Sequence, residues 1–329
     1  MTRRTLYFGS PAYLSTVDNQ LRIERELGPE DVGEAITHVP IEDVGTVLLD
    51  HSMITITQPL LRQLIASNVS VISCDESHMP CGLFLPLAAS GVQPERFRYQ
   101  LRASGPLKKQ LWAQTVQAKI LNQAGMIETA IGLNRSHITQ ESNLLADGRL
   151  MNMRKWAGDL RSGDPMNLEG RAAAFYWANF FPAALEFRRD RFGEPPNNLL
   201  NYGYAILRAM TAQALVASGM PPTQGIHHSN KYNAFPLADD IMEPYRPYVD
   251  HIVRSVVTNG EDFSELDRSI KQQLLSLATT DVVMNGKRRP LHIAVQRSAT
   301  SLAYCFLGER RKILYPDVSG VPKDPGTSE

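Results

Sequence analysis

Cysteine is scarce in this 329-residue chain, which holds only Cys74, Cys81 and Cys305. An odd, sparse set excludes a disulfide framework and fits a reducing compartment. Cys74 and Cys81 have no second Cys or His pair at ligand spacing, which argues against a thiolate zinc site. A surplus of either charge is also missing, since 34 Lys and Arg balance 34 Asp and Glu. That excludes a uniformly basic nucleic-acid binder, so any nucleic-acid contact must come from uneven placement of charge. No apolar run is long enough to span a bilayer; the most apolar stretch, Ala172 to Leu185, is broken by Asn179 and Pro182. No long apolar region follows Arg3 and Arg4, so no signal peptide is expected. Hydrophobic residues make up 43% and charged residues 21%, which is the balance of a folded chain. The expectation is a soluble, cytoplasmic protein with no membrane association, of roughly two domains.

What is present divides in two. The first ninety residues carry β signals: Leu6–Phe8, Tyr13–Val17 after the turn Gly9-Ser10-Pro11, Gln20–Ile23 after Asp18-Asn19, Thr37–Ile41, Thr46–Asp50, Val69–Cys74 and Gly82–Leu85. Between them Gln58 to Ala66 reads as an amphipathic helix, with Leu60, Leu61, Leu64 and Ile65 on one face. Small, Pro- and Gly-bearing residues mark a boundary at Ala88 to Pro94. Helical patterns follow: Leu107 to Ala124 with a stop at Gly125, a helix opened by Asp164-Pro165, Leu199 to Ser218, Asp240 to Thr258, Phe263 to Leu277 and Ile293 to Leu307. The predicted fold is α+β: a small β-rich N-terminal domain (1–90), a linker (91–96), a larger all-α domain (97–320) and a disordered tail (321–329).

Charge is unevenly placed along the neutral chain. Arg96, Arg98, Arg102, Lys108, Lys109 and Lys119 fall in one stretch with no acid, and Lys287, Arg288 and Arg289 open a second basic stretch. Either is a solvated helix face or a track for phosphates. Between them lies an acidic knot, Asp239, Asp240, Glu243 and Asp250. Carboxylates for a hard cation, ringed by Lys and Arg for a polyanion, are what metal-assisted phosphoryl transfer needs.

Three groups carry candidate chemistry. Glu169 stands near the head of the alanine-rich helix, the His227-His228 pair follows Gly225-Ile226, and Asp240 and Glu243 are three apart, on one face of a helix. Each has an ordinary structural explanation as helix-end acid or hydrogen-bonded histidine. Together, carboxylates and one imidazole suit Mg²⁺ or Mn²⁺.

The blocks Leu168-Glu169-Gly170-Arg171-Ala172-Ala173-Ala174-Phe175-Tyr176-Trp177, Gly225-Ile226-His227-His228 and Asp240-Ile241-Met242-Glu243-Pro244-Tyr245-Arg246-Pro247 occur in that order. With Leu200-Asn201-Tyr202-Gly203-Tyr204 between them, the chain resembles the CRISPR-associated adaptation integrase and endonuclease family, the first of the numbered Cas proteins. The form Gly225-Ile226-His227-His228 … Asn233-Ala234-Phe235 is similar to its type II branch. The resemblance implies that Glu169, His228 and Glu243 are catalytic metal ligands, with Asp240 as a supporting acid. It implies Mg²⁺ or Mn²⁺ as cofactor and joining of the 3′-hydroxyl of a short foreign DNA fragment to a CRISPR repeat. It also implies a homodimer through the β domain, a small partner (the second numbered Cas protein) and further type II Cas proteins. Asn230, Lys231, Asn233 and Arg246 are candidate phosphate or outer contacts, and the two basic stretches candidate DNA tracks. The contrasting reading is a non-catalytic DNA-binding scaffold subunit whose acids merely cap helices; a third is a small-molecule metallohydrolase.

Overall fold

A computed structural model describes residues 3–25, 35–87, 91–132 and 140–318. The tail expected to be disordered, 321–329, lies outside the described residues. The N-terminal part holds two four-stranded sheets. In the first, β1 (Arg4–Phe8), β5 (Val44–Leu49) and β7 (Ser70–Cys74) run parallel, and β8 (Pro80–Phe84) closes one edge antiparallel. The second has the order β4 (Ile36–Pro40), β3 (Gln20–Glu24), β2 (Ala12–Val17), β6 (Ile54–Ile56). Its β2–β3 hairpin turns at Asp18 and Asn19, both at positive φ, the hand that matches strand twist. The helix expected over Gln58 to Ala66 forms there as α1 (Gln58–Ala66).

Parallel strands need cover on both faces. Alternation along β5 and β7 supplies it. Val47 and Val71 join a small core with Leu14, Leu21, Leu60 and Leu64, between the two sheets and α1. Their neighbours Leu48 and Ile72 join the large core of the helical part. One face of the first sheet is therefore a floor of the helical part.

That part comprises α2 (Gln93–Arg102), α3 (Gly105–Gly132), α4 (Gln140–Asp159), α5 (Leu168–Phe180), α6 (Asn197–Ala217), α7 (Pro236–Met242), α8 (Arg246–Thr258), α9 (Arg268–Leu275) and α10 (Leu291–Phe306). It is not all-α. A hairpin of β9 (Asp281–Met284) and β10 (Lys287–Pro290) turns at Asn285 and Gly286, again both at positive φ. α2 begins inside the stretch expected as linker. α3 does not stop at Gly125: Ala124, Met126, Ile127 and Ala130 are buried, and that packing outweighs the roughly 1 kcal/mol cost of a helical glycine. The helix expected over Asp240 to Thr258 is two helices. A 3₁₀ turn at Glu243–Tyr245 separates them, because Pro244 has no N–H to continue the first and Pro247 suits the first turn of the second.

One buried ionic cluster ties the parts together. Asp50, just beyond β5, accepts hydrogen bonds from Tyr7 Oη (2.7 Å) and from Lys271 Nζ of α9 (2.9 Å). His78 Nδ1 lies 2.8 Å from its other oxygen. Burial raises the Asp50 pKa, but these three hydrogen bonds outweigh it and hold the carboxyl below its usual range. The resulting stability is complete above the unfolded-state pKa near 4 and is lost as pH falls through the lowered folded value. Lys271→Met, which strands a buried carboxylate, is expected to lower unfolding stability by about 3–5 kcal/mol. In urea denaturation the Asp50→Ala/Lys271→Met double variant should lose less than the sum of the singles; strict additivity would show that the pair does not interact.

Candidate metal and phosphoryl-transfer site

α3 packs against α4, α5, the Glu243–Tyr245 turn and α8, so it touches both elements that carry the acids. Lys119, flanked by the fully buried Val116 and Ile120, lies midway along it. Its Nζ is 2.8 Å from Glu169 Oε1 and 2.8 Å from Glu243 Oε2. Three residues on, Asn122 donates to the carbonyl of Pro244 (2.7 Å), which pins the turn that presents Glu243.

Glu169 lies in the first turn of α5. The helix starts three residues later than Asp164-Pro165 suggests, but Asp164 still serves its N-terminus: its carboxylate accepts from the N–H groups of Leu168 and Glu169, each at 2.9 Å. The Glu169 side chain is thus left for Lys119. Glu243 is buried, with Arg246 Nε 2.9 Å from Oε1. Burial alone would raise its pKa; Arg246 and then Lys119 reverse the effect and bring it down to about 2. The Arg246 contact is an ion pair, since Arg246 Nε donates no aligned hydrogen bond.

The histidine loop hangs on one carboxylate. Asp240 of α7 is fully buried and accepts from the N–H groups of Ile226 (2.7 Å), His227 (3.1 Å) and His228 (3.1 Å). Its Oδ1 also meets His228 Nδ1 at 2.6 Å. That hydrogen bond, above all, raises the His228 pKa. It fixes the ring and leaves Nε2 as the atom for an outside partner. Gly225 permits the arrangement, since a Cβ there would overlap the His228 carbonyl and crowd the Asp240 carboxylate. His227 instead stacks flat on Trp112, with ring centroids 4.2 Å apart.

Other expected contacts are partly turned inward. Asn233 donates to Asp239 (2.7 Å) and Asn230 accepts from the Tyr232 N–H (3.0 Å), so both brace their own loop. Lys231 is exposed, over the Tyr232 ring. Arg246 lies over the Tyr204 ring, 4.5 Å from its centroid. In the first basic stretch Arg98, Arg102 and Lys109 are exposed and Lys108 half-buried. Arg96, however, donates to the Ser218 carbonyl (2.7 Å), and Lys119 belongs to the acid cluster rather than to a surface track. Lys287 and Arg288 are exposed on β10, and Arg289 is half-buried. Sequence reasoning missed Lys119 as a partner of the acids, and the fork of Arg208 on Asp239 at 2.6 and 3.0 Å. The one local hint was a lysine beside apolar positions of a helix.

Among the described residues no three His, Cys, Asp or Glu side chains are already gathered at metal-ligand spacing. Two features nevertheless fit a divalent ion. A cation, the Lys119 ammonium, already sits between Glu169 and Glu243, and Glu243 is a buried carboxylate held ionised. Two carboxylates and an imidazole form a donor set for Mg²⁺ or Mn²⁺.

The fold and site thus define an α+β protein whose helical part brings two acids from separate segments onto one ammonium and fixes a histidine loop on a third acid. The chain belongs to the Cas1 family: the family model for CRISPR associated protein Cas1 matches residues 6–280. It is 38% identical over 275 residues to the CRISPR-associated endonuclease Cas1 of Neisseria meningitidis serogroup C (strain 8013), covering 84% of this chain and 83% of that protein. Its fold is similar to that of a casposase bound to integration product (TM-score 0.75, 18% identity, 100% of this chain and 96% of the other). It is also similar in fold to a chain of a Cas6-RT-Cas1–Cas2 complex (TM-score 0.68, 20% identity), covering 95% of this chain and 36% of that one. No helix among the described residues is long and apolar enough to cross a membrane.

Two outcomes follow from the geometry. Gly225→Ala should destabilise the protein by about 1–3 kcal/mol, read as a lower melting temperature, because the His228 carbonyl or Asp240 must shift. Asp250, buried and hydrogen-bonded by Tyr204 (2.5 Å) and Tyr176 (3.0 Å), has its pKa pushed up to about 7 by burial. Its folded value exceeds its unfolded one, so its contribution to stability falls as pH rises from about 4 to about 7. Asp250→Asn should flatten that part of the stability–pH curve in urea titrations; an unchanged curve would show that Asp250 titrates normally.

Proposed function

We propose that this chain is a divalent-metal-dependent DNA endonuclease and integrase of CRISPR adaptation, with Glu169, His228 and Glu243 as its metal ligands. The observation that carries the reading is the sharing of one cation by Glu169 and Glu243, which come from elements far apart in sequence. Mg²⁺ or Mn²⁺ bound there would polarise a phosphoryl oxygen and offset charge on the attacking and leaving oxygens. Asp240 holds the His228 ring with Nδ1 engaged, and Arg246 keeps Glu243 ionised. The 3′-hydroxyl of a short foreign DNA fragment attacks a phosphodiester at the edge of a CRISPR repeat. A new P–O bond joins fragment to repeat, and the bond to the repeat's own 3′-oxygen breaks, that oxygen leaving with a proton. Water in place of the hydroxyl gives strand cleavage.

The exposed Arg98, Arg102, Lys109, Lys287 and Arg288 serve as phosphate contacts. The protein acts as a homodimer through its β-rich part, with the second numbered Cas protein and further type II Cas proteins. The family membership and the similarity in fold to a chain from a Cas6-RT-Cas1–Cas2 complex support the partnership with the second numbered Cas protein. Helix capping accounts poorly for the acids, because Asp164 rather than Glu169 receives the first N–H groups of α5.

The test is strand transfer between labelled oligonucleotides carrying a free 3′-end and a repeat duplex. Activity should need Mn²⁺ or Mg²⁺ and vanish in EDTA. Glu169→Ala, His228→Ala and Glu243→Ala should each fall by about 10²–10³-fold or more. Full activity in EDTA, or alanine variants as active as the unaltered protein, would leave the DNA-binding scaffold as the better reading.

A further inference from the structure

Lysine is almost never buried without a partner. Lys119 is only 13% exposed, emerges from the middle of a 28-residue helix, and ends 2.8 Å from each of two carboxylates. We propose that Lys119 is the built-in counter-ion of this site: it occupies the cation position between Glu169 and Glu243 and must give way before a divalent ion can bind. The inference rests on the metal-ligand reading above.

Charge balance is the first support. Glu169 and Glu243 face Lys119 and Arg246, two negative against two positive. Asp240 is engaged with His228, and Asp239 with Arg208, so neither is free to balance more charge. A divalent ion added beside an unmoved ammonium would put two cations on the same carboxylate oxygens. The second support is the hydrogen-bond geometry. Lys119 donates to Glu169 Oε1 and pairs with Glu243 Oε2, each at 2.8 Å, so the oxygens a divalent ion would need are the ones the ammonium now holds. The third is the side chain itself: a point charge on a flexible four-carbon stem can retract, where a forked guanidinium would be held by paired contacts. Lys119 therefore acts as a positioning residue, holding two ionised acids together in the metal-free protein at the expense of metal affinity.

The experiment measures Mn²⁺ binding by isothermal titration calorimetry on the full chain, without DNA. The unaltered protein, Lys119→Met, Lys119→Arg and Glu169→Ala are compared. Lys119→Met is expected to bind Mn²⁺ more tightly, on the order of tenfold to a hundredfold, because a repelling charge beside the ion is gone. Lys119→Arg should bind no more tightly than the unaltered protein, and Glu169→Ala should lose binding. Melting curves give a second readout: in EDTA Lys119→Met should melt lower than the unaltered protein, and saturating Mn²⁺ should raise its melting temperature by more. If Lys119→Met does not fold, Lys119→Gln, which keeps most of the length without the charge, takes its place in both measurements. Equal Mn²⁺ affinity with and without Lys119, while Glu169→Ala has lost binding, overturns the inference and leaves the metal reading standing. Binding that survives Glu169→Ala, or no binding in any form, overturns the metal reading and this inference with it.

Discussion

Two carboxylates held beside a single ammonium organise the helical part of this protein. Glu169 begins α5, and Glu243 sits where α7 gives way to α8. Lys119 reaches both from α3, across 50 residues of chain to the first. Like charges so placed repel unless a cation lies between them. The elements around the site are fastened accordingly. Asn122 holds the Pro244 carbonyl, Asp164 closes the start of α5, and Asp240 gathers three successive backbone N–H groups of the histidine loop. Each device fixes backbone rather than a side-chain tip. The acids and the imidazole are thus positioned by anchored backbone.

The division of labour among the acids follows from burial. Asp240 is wholly inside, and its oxygens already accept four contacts, so its role is to shape the loop. Asp239 is tied to Arg208 and Asn233. Asp250 is enclosed by two tyrosine hydroxyls. Glu169 and Glu243 alone among these share a lysine ammonium. Three neighbouring acids in the sequence, Asp239, Asp240 and Glu243, therefore carry three different tasks.

Local pattern and long-range pairing differ in how well they can be read from residues. α1 was legible to its ends because Leu60 and Leu64 recur at helical spacing and Pro59 suits the first turn. The ordered blocks around Glu169, His228 and Glu243 were visible along the chain, whereas the close approach that requires glycine at Gly225 came only from the folded loop. The β9–β10 hairpin was missed: four-residue strands, one of them Lys287-Arg288-Arg289-Pro290, carry no apolar alternation, and only Asn285-Gly286 announced a turn. The assignment of Lys119 to a surface track failed for another reason. Charge runs report composition along the chain, whereas the partner of a lysine is decided by which helices pack, and nothing local encodes that α3 lies against both acidic elements.

The same packing explains why the two parts cannot be treated as separate units. Leu48 and Ile72 belong to the helical core, while Val47 and Val71, their neighbours on the same strands, belong to the β core. A parallel sheet with one face under each core transmits any shift of its strands to the helices above. Asp50 and Lys271 add an ionic fastening across that junction, buried on both sides, where a loss of register would strand a charge. α9, which supplies Lys271, packs on α6 and α8, and α8 begins at Arg246, the partner of Glu243. The chain of contacts from sheet to α9 to α8 thus ends at the turn that carries Glu243.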